Sequence, residues 1–456
     1  MKKITMIDLK YPYGKSQIYM GGSTIATMAR FLKIGYQVSH INLNVENLDD
    51  QLIKDKISQA DFFGVSVIGA PYIPSAIELA KKLSQTGKPV LFGGQVIERL
   101  EKDQFSALFI GTTAQQVVAD EDIARVLSCS SLELSNPYAI SHIPAWGALG
   151  RDKLKEYMSY EMTMVLSQGC HFQCAFCAAS KAQKEKFKTM DCFSTDMRFL
   201  AQSAKDFGIK KLEFYATSLD FFQNPKTVFS YLNEIANIQN EYGVKFKIRC
   251  LGCIGSFISA VKVLGKDSFR ELMQKSGLWC VGFGVDGADP DVWKAQKKNQ
   301  NNLSEIKDCL DLAQHAGIQS EILLVMGFPQ DNFRTLAKCF TDSIRYIWHW
   351  PNTMLRPYLA KEFVPGNDGW KSGNSVIKTF ISDPKKFYNL DFCAIGSKST
   401  DAKFWHRTWS NLSYLMIIGL FTPIGKCVTS PLLPQGNGGL YGKIAKFFNK
   451  IVPFDR

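Results

Sequence analysis

Residues 1–128 of this 456-residue chain contain no cysteine, although the whole chain has 12. Thiol chemistry, whether disulfide or metal binding, is therefore excluded from that region, and the cysteines must be read by where they cluster. Long apolar runs are also missing. LMIIGLF at 415–421 is the longest, far short of the roughly 18 residues a membrane-spanning helix needs, and it runs into Thr422-Pro423. The start, MKKITMIDLKYPYG, has no small-residue cleavage site and reads as a first strand rather than a leader, so the expected compartment is the cytoplasm. Lys and Arg total 54 against 42 Asp and Glu, a net charge of +12, yet no basic block with interleaved aromatics occurs. The charge is expected to be a solvated lysine-rich surface, with no nucleic acid as partner. In a reducing compartment the cysteines are expected as free thiols or metal ligands. A hydrophobic fraction of 46% with 21% charged residues fits a soluble globular protein of two or three domains.

What is present is alternation. KKITMIDL, QVSHINLN, DFFGVSVIG, PVLFGG and ALFIGT read as strands in residues 1–128, separated by amphipathic helical stretches such as GGSTIATMARFLKIG and IPSAIELAKKLSQTGK. Continuous apolar strands between such helices predict a doubly wound (Rossmann- or flavodoxin-like) parallel sheet, with its ligand at the carboxyl ends of the strands. Residues 129–160, rich in Ser, Pro and Gly without period, read as a linker. From 161 to 366 a second alternation offers MTMVLSQ, KLEFYAT, VKFKIRCL, CVGFGVD, SEILLVMGFP and TMLRPYLA as strands. These βα units predict an incomplete barrel of TIM type with its chemistry at the strand carboxyl ends. Residues 367–456 read as a small, mixed, irregular region whose Trp370, Phe392, Trp405, His406, Trp409 and Tyr414 are either pocket or core.

Cys170-His-Phe-Gln-Cys174-Ala-Phe-Cys177 follows the first barrel strand directly. Close spacing on one loop lets three thiolates face one iron–sulfur cube, whose remaining iron is left open to a small molecule. A structural zinc site would pair C-x-x-C with a second Cys or His pair, whereas Cys192 further along stands alone. Three merely buried cysteines would not be expected to crowd one strand-to-helix loop.

The C-x-x-x-C-x-φ-C loop, with Phe176 at its aromatic position, resembles the radical S-adenosylmethionine family. GLWCVGFGVDGADPDVWKAQKK at 277–298 is similar to a family stretch, with Asp286 where Glu is usual and Lys298 at the closing lysine. AGIQSEILLVMGFPQDN at 316–332 is similar to another, around Gly327, with Asp331 and Asn332 replacing Glu and Thr. The resemblance covers residues 162 to about 366 and ends at FVPGN. It implies a [4Fe–4S] cluster on Cys170, Cys174 and Cys177, to which the amino acid end of S-adenosylmethionine is chelated before reductive cleavage to a 5′-deoxyadenosyl radical. Phe176, Asp286 and Gly327 are then expected around S-adenosylmethionine. Relatives often hold its amino group with acidic residues after the second strand. Here Ala216, Thr217, Ser218 and Asp220 occupy that stretch. Arg249 is a candidate for its carboxylate, because Arg forks onto carboxylates bidentately. A surface ion pair is the alternative for Arg249, and a turn cap the alternative for Asp286.

Ser66-Val-Ile on the third strand and Gly93-Gly94 after the fourth resemble the S-x-L and G-G positions of cobalamin-binding domains, with Gly111-Thr112 as a further expected contact. The Asp-x-His-x-x-Gly motif is absent, and His40 lies within a strand, so a cobalt without a histidine lower ligand is implied. The combined resemblance implies a cobalamin-dependent radical S-adenosylmethionine methyltransferase. It would methylate an unactivated carbon of a small-molecule, lipid or natural-product substrate, with an external one-electron reductant such as flavodoxin or ferredoxin. Cyclisation, rearrangement or non-radical methyl transfer with the same cofactors is an alternative, and a cobalamin or iron–sulfur sensor another. No catalytic acid or base is legible. The tail GLYGKIAKFFNKIVPFDR sets Lys443, Lys446 and Lys450 among apolar residues, which suits either an ordinary packed helix or contact with a membrane surface.

Overall fold

The computed structural model describes residues 2–10, 21–127, 138–179, 185–360, 365–372, 378, 380–384 and 400–427. Five parallel strands, β1 Lys3–Asp8, β2 Gln37–Asn42, β3 Phe62–Ser66, β4 Val90–Gly93 and β5 Ala114–Gln116, form the first sheet in the order β2-β1-β3-β4-β5. Alternate residues of β1 feed opposite cores. Ile4 and Met6 pack with Ile25 and Met28 of the helix Gly22–Lys33, while Ile7 joins Phe63, Val65 and Leu79 on the other face. The order reverses between β1 and β3, which opens a crevice outside the strand carboxyl ends. ALFIGT at 107–112, expected as a strand, instead closes the helix Lys102–Leu108. Phe105 and Phe109 lie one turn apart, stacked at 4.5 Å, with Phe109 4.7 Å from Phe92. The fifth strand is the polar Ala114-Gln115-Gln116.

The second sheet has six parallel strands: β6 Met162–Val165, β9 Lys211–Thr217, β10 Lys245–Gly252, β11 Leu278–Gly284, β12 Gln319–Met326 and β13 Thr353–Leu359, each beside the next. Between β6 and β9 lies a short antiparallel pair, β7 Ser167–Gln168 and β8 Lys186–Phe187. Among the described residues β13 does not pair with β6, so the barrel is open. The helix Thr400–Phe421, in a region expected to be irregular, lies against β13 and buries Tyr414, Ile417, Ile418 and Phe421.

Residues 138–160, expected as a linker, contain two short helices, Ile143–Leu149 and Arg151–Tyr157, and bury Trp146 and Tyr157 completely. Pro144 sits in the first turn and Gly150 (φ 77°) joins the two, so residues read as breaks are helix punctuation. The segment is fastened to the barrel by a wholly buried pair, Lys188 Nζ at 3.0 Å from Asp196 Oδ2. Lys188 also donates to the Ile140 carbonyl, and Asp196 Oδ1 accepts from Ser141 Oγ (2.6 Å) and the His142 amide (2.9 Å). Burial, with Lys188 beside it, pushes His142 well below its ordinary pKa and keeps the ring neutral.

The carboxyl edges of the two sheets meet. Gly22, the first residue of the helix that follows β1, packs so closely on the end of β6 that a Cβ there would lie 3.1 Å from Val165 Cγ2. Gly366, beyond β13, abuts Arg99, beyond β4, where a Cβ would lie 2.8 Å from Arg99 Cγ. Lys153 adds an ion pair to Glu46 at 2.5 Å. No helix among the described residues is long and apolar enough to cross a membrane.

Candidate metal and cofactor site

Gly169 (φ 101°) turns the chain out of β7, and Cys170, Cys174 and Cys177 follow on the loop before β8. The loop is pinned on two sides. Ala175 donates its amide to the Gln296 carbonyl (2.9 Å), and its own carbonyl accepts from the Asp368 amide (3.0 Å). Phe176 lies 5.3 Å from the Phe328 ring and 5.9 Å from Lys298 Nζ. Two of the sulfurs accept an N–H: Cys177 from the Ala179 amide (3.3 Å) and Cys174 from Gln300 Nε2 (3.5 Å). Burial pushes the Cys170 thiol up to about 11, and Asp220, Cys174 and Cys177 add to it, so the three thiols lie within electrostatic reach of one another. As thiolates they would repel unless a cation held them, and N–H donors to sulfur are what a cluster ligand needs. Among the described residues no three His, Cys, Asp or Glu side chains converge on a single-ion position. Three Cys thiolates on one loop, each available to a separate iron, are the donor set that a [4Fe–4S] cube uses. The donor set fits the cube.

Around the loop, the strand ends bring several expected residues together. Ser218, after β9, is buried with its Oγ 2.7 Å from Ser167 Oγ, and the neighbouring Thr217 accepts the Leu166 amide through its carbonyl (3.0 Å). Asp286 and Lys298 form a buried pair at 2.5 Å, with Gly284 leaving the space it fills. Burial alone would lower the Lys298 ammonium, but Asp286 and Cys174 hold it above its ordinary value. Asp286 adopts φ 48°, uncommon for a non-glycine residue, and Trp293 Nε1 steadies the turn by donating to the Val285 and Asp286 carbonyls at 2.9 Å. Gly327 and Phe328 donate their amides to Asp331 Oδ2 at 2.8 and 2.9 Å, which fixes the exit of β12. Asn332 caps the following helix. His406 Nε2, on the carboxyl-terminal helix, lies 2.8 Å from the Phe328 carbonyl.

Two expected ligand residues are already committed. Arg249 directs both arms of its fork to Glu161, at 2.9 and 2.7 Å, and stacks over Tyr215. It is a partly buried pair in which Glu161 occupies both arms of the fork. Asp220 receives the Cys253 amide (3.0 Å) and Ser256 Oγ (2.6 Å) at the start of the helix Ile254–Leu264, so both of its oxygens act as a helix cap.

In the first sheet, Ser66 and Gly93 are register partners at the ends of β3 and β4, and Ser23 Oγ reaches Ser66 Oγ at 3.2 Å. Gly94 (φ 98°) is required by packing, since a Cβ would lie 2.9 Å from the Val67 N and O. Gly93 has no such constraint, its nearest neighbours being at 3.7 Å or more. Gly111 and Thr112 are not part of this edge. They precede β5, and Thr113 Oγ1 donates to the Lys88 carbonyl (2.7 Å) ahead of β4, at the amino end of the sheet. His40 is buried beside Asp8, at 3.1 Å, within the strands.

Sequence reading missed Glu185, Gln223, Ser167, Cys253 and Gln300, all near the rim. None belongs to a motif, and only folding brings Gln300 to Cys174, Cys253 within electrostatic reach of Cys170, and Glu185 within reach of Asp220. Phe392 and the tail with Lys443, Lys446 and Lys450 lie outside the described residues.

Residues 164–341 match the family model described as the Radical SAM superfamily. Over 358 residues the chain is 22% identical to bacteriochlorophyllide d C-12(1)-methyltransferase of Chlorobaculum tepidum, covering 75% of this chain and 73% of that protein. Its fold is similar to that of the radical S-adenosylmethionine methyltransferase TsrM from Kitasatospora setae, solved with cobalamin and a [4Fe–4S] cluster. The TM-score is 0.61 at 13% identity, over 82% of this chain and 75% of that one. OxsB, a cobalamin-dependent S-adenosylmethionine radical enzyme solved with aqua-cobalamin and S-adenosylmethionine, is similar at TM-score 0.58 and 15% identity, over 85% of this chain and 56% of that one.

Proposed function

We propose that the protein, whose residues 164–341 match the Radical SAM superfamily model, is a cobalamin-dependent radical S-adenosylmethionine methyltransferase acting on a carbon of a small-molecule or lipid-like substrate. The observation that carries this reading is the loop of three cysteines, two of them with N–H donors to sulfur, at strand ends that face the carboxyl edge of a second, doubly wound sheet. When bound, the cluster and cobalamin would supply the electron and the methyl group that no side chain can provide. Cys170, Cys174 and Cys177 hold the first. Ser66, Ser23 and Gly93 offer the second a hydroxyl-lined edge without side-chain obstruction.

The other residues orient and shield. Phe176 and Phe328 form an apolar wall beside the loop, and the Asp286–Lys298 pair places a fixed dipole next to Cys174. The Asp331 carboxylate fixes the Gly327 turn without entering the cleft. An external one-electron reductant such as flavodoxin or ferredoxin is part of the proposal, and so is membrane contact by the carboxyl-terminal tail if the substrate is lipid-like.

The test is a reconstituted reaction with cobalamin and strong reductant. Formation of both 5′-deoxyadenosine and S-adenosylhomocysteine, with a substrate gain of one methylene, supports carbon methylation. S-adenosylhomocysteine alone would place the reaction among non-radical transfers. A substrate product of unchanged mass would mean rearrangement. A cluster-loaded protein that never consumes S-adenosylmethionine would favour a sensor.

A further inference from the structure

We propose that Gln300, a positioning residue acting through Cys174, raises the reduction potential of the cluster by donating an N–H to its ligand sulfur. The inference rests on the functional reading above. It adds a residue outside every motif that sets how readily the cluster takes up its electron. Gln300 Nε2 lies 3.5 Å from Cys174 Sγ, across 126 positions of sequence. Cys174 is buried, so water competes poorly for that sulfur.

The turn that carries Gln300 is fixed on both sides. It leaves the helix Pro290–Ala295 with the Gln296 amide donating to the Val292 carbonyl (2.9 Å) and the Lys298 amide to the Trp293 carbonyl (2.8 Å). The Gln296 carbonyl accepts the Ala175 amide (2.9 Å), which ties the turn to the residue after Cys174. Beyond Gln300, the buried Asn301 donates through Nδ2 to the Gly284 (3.2 Å) and Val285 (2.7 Å) carbonyls at the end of β11. Between these anchors Lys297 adopts φ 54°, a left-handed conformation uncommon for a residue with a side chain. Backbone strain persists only where its surroundings over-determine it, and it gathers at functional sites. Here the strained turn delivers one side-chain amide to one ligand sulfur.

Reduction brings one electron from the external one-electron reductant to the cluster and spreads negative charge onto the cysteine sulfurs. An N–H aimed at sulfur stabilises that reduced form more than the oxidised one, which is how hydrogen bonds to sulfur raise a cluster's potential. A neutral amide does so without taking up a proton or adding a charge. Cys177 receives its N–H from the Ala179 backbone, which no substitution removes. The Cys174 donor is a side chain and can be removed alone. If Gln300 merely props the loop, its loss changes iron retention and leaves the potential where it was.

The experiment uses the full chain, prepared anaerobically with its iron counted, in a redox titration followed by electron paramagnetic resonance. In Gln300→Met, of similar length but without the donor, the ratio of reduced to oxidised cluster at a fixed potential is expected to fall about 3- to 10-fold, the range one net hydrogen bond supplies. At 59 mV per tenfold for one electron, the midpoint moves about 30–60 mV more negative. Gln300→Glu, ionised at a pH of about 8, sets a like charge beside the sulfur and should lower the ratio further. After exchange into deuterated water, the coupling of one exchangeable deuteron to the reduced cluster should be present in wild type and missing from Gln300→Met. An iron-loaded variant of either kind that keeps the wild-type potential, or shifts it positive, overturns the assignment. Loss of iron from both variants makes Gln300 a loop clamp and overturns it as well. Wild type that binds no iron overturns the functional reading itself.

Discussion

Arg249 lies in a run of alternating charge, Glu161–Arg249–Glu321–Arg356, that crosses the second sheet. Arg356 forks onto Glu321 at 3.0 and 3.0 Å, and Arg249 Nη1 approaches the same carboxylate at 3.9 Å. Burial disfavours the Arg249 charge, but Glu161 and Glu321 outweigh it and raise its pKa. Arg249→Met strands the Glu161 carboxylate, while Glu321 keeps the Arg356 fork. Wholly buried pairs cost roughly 3–5 kcal/mol to break, and with 16% of this side chain exposed about 2–4 is expected, measured by denaturant unfolding. Affinity of the folded protein for S-adenosylmethionine should not change, because the fork is not available to the ligand. The two glycines after β4 separate packing from binding in the same way. Gly94→Ala forces a Cβ to 2.9 Å from backbone at φ 98° and should cost about 1–3 kcal/mol. Gly93→Ala meets only ordinary contacts and should fold within about 0.5 kcal/mol of wild type while weakening cobalamin binding, read by retained cobalt. At this scale the sequence is a poor guide to ligand residues. The fork of Arg249 suits a carboxylate, but Glu161, 88 positions away, already takes it.

Elements were easier to read than residues, and the exceptions have physical causes. The six strands of the second sheet are legible because each carries apolar residues between helical stretches, even where, as in β9 and β10, these alternate with charged ones. The arms β7 and β8 have two residues each, too few for any period to show, and β5 is polar because it is an edge. The helices at 143–157 were hidden by Pro144 and Gly150. What holds that segment down is the Lys188–Asp196 pair, which joins it to the first barrel helix, Met190–Asp206. Lys188→Met should leave a buried carboxylate uncompensated, costing roughly 3–5 kcal/mol. It should also open the segment 138–160 to limited proteolysis. Lys188→Met with Asp196→Leu should recover much of that loss, since the charge and its partner then leave together.

For the molecule as a whole, the cysteine loop, the rim residues and the crevice of the first sheet are set by one arrangement, two parallel sheets meeting at their carboxyl edges. Ile4, Met6, Ile25 and Met28 share a single buried cluster with Met162, Met164 and Leu166, so the two sheets are joined by common core as well as by surface contact. The alternation of strands and helices made each sheet legible, and the clustering of three cysteines marked the chemistry. That the first sheet's carboxyl edge faces the barrel's open end is expected from the need to bring two cofactors to one substrate, and the approaches at Gly22 and Gly366 agree with it; those approaches themselves are not legible in the sequence. All of the proposed chemistry rests on the loop at 170–177. The most direct measurement is therefore iron content, with electron paramagnetic resonance after reduction, on anaerobically prepared wild type and on the chain with Cys170→Ala, Cys174→Ala and Cys177→Ala together. The expected result is about four irons per wild-type chain with a reduced-cluster signal, and neither in the variant. Wild type without iron, or a variant that keeps its full load, would contradict it.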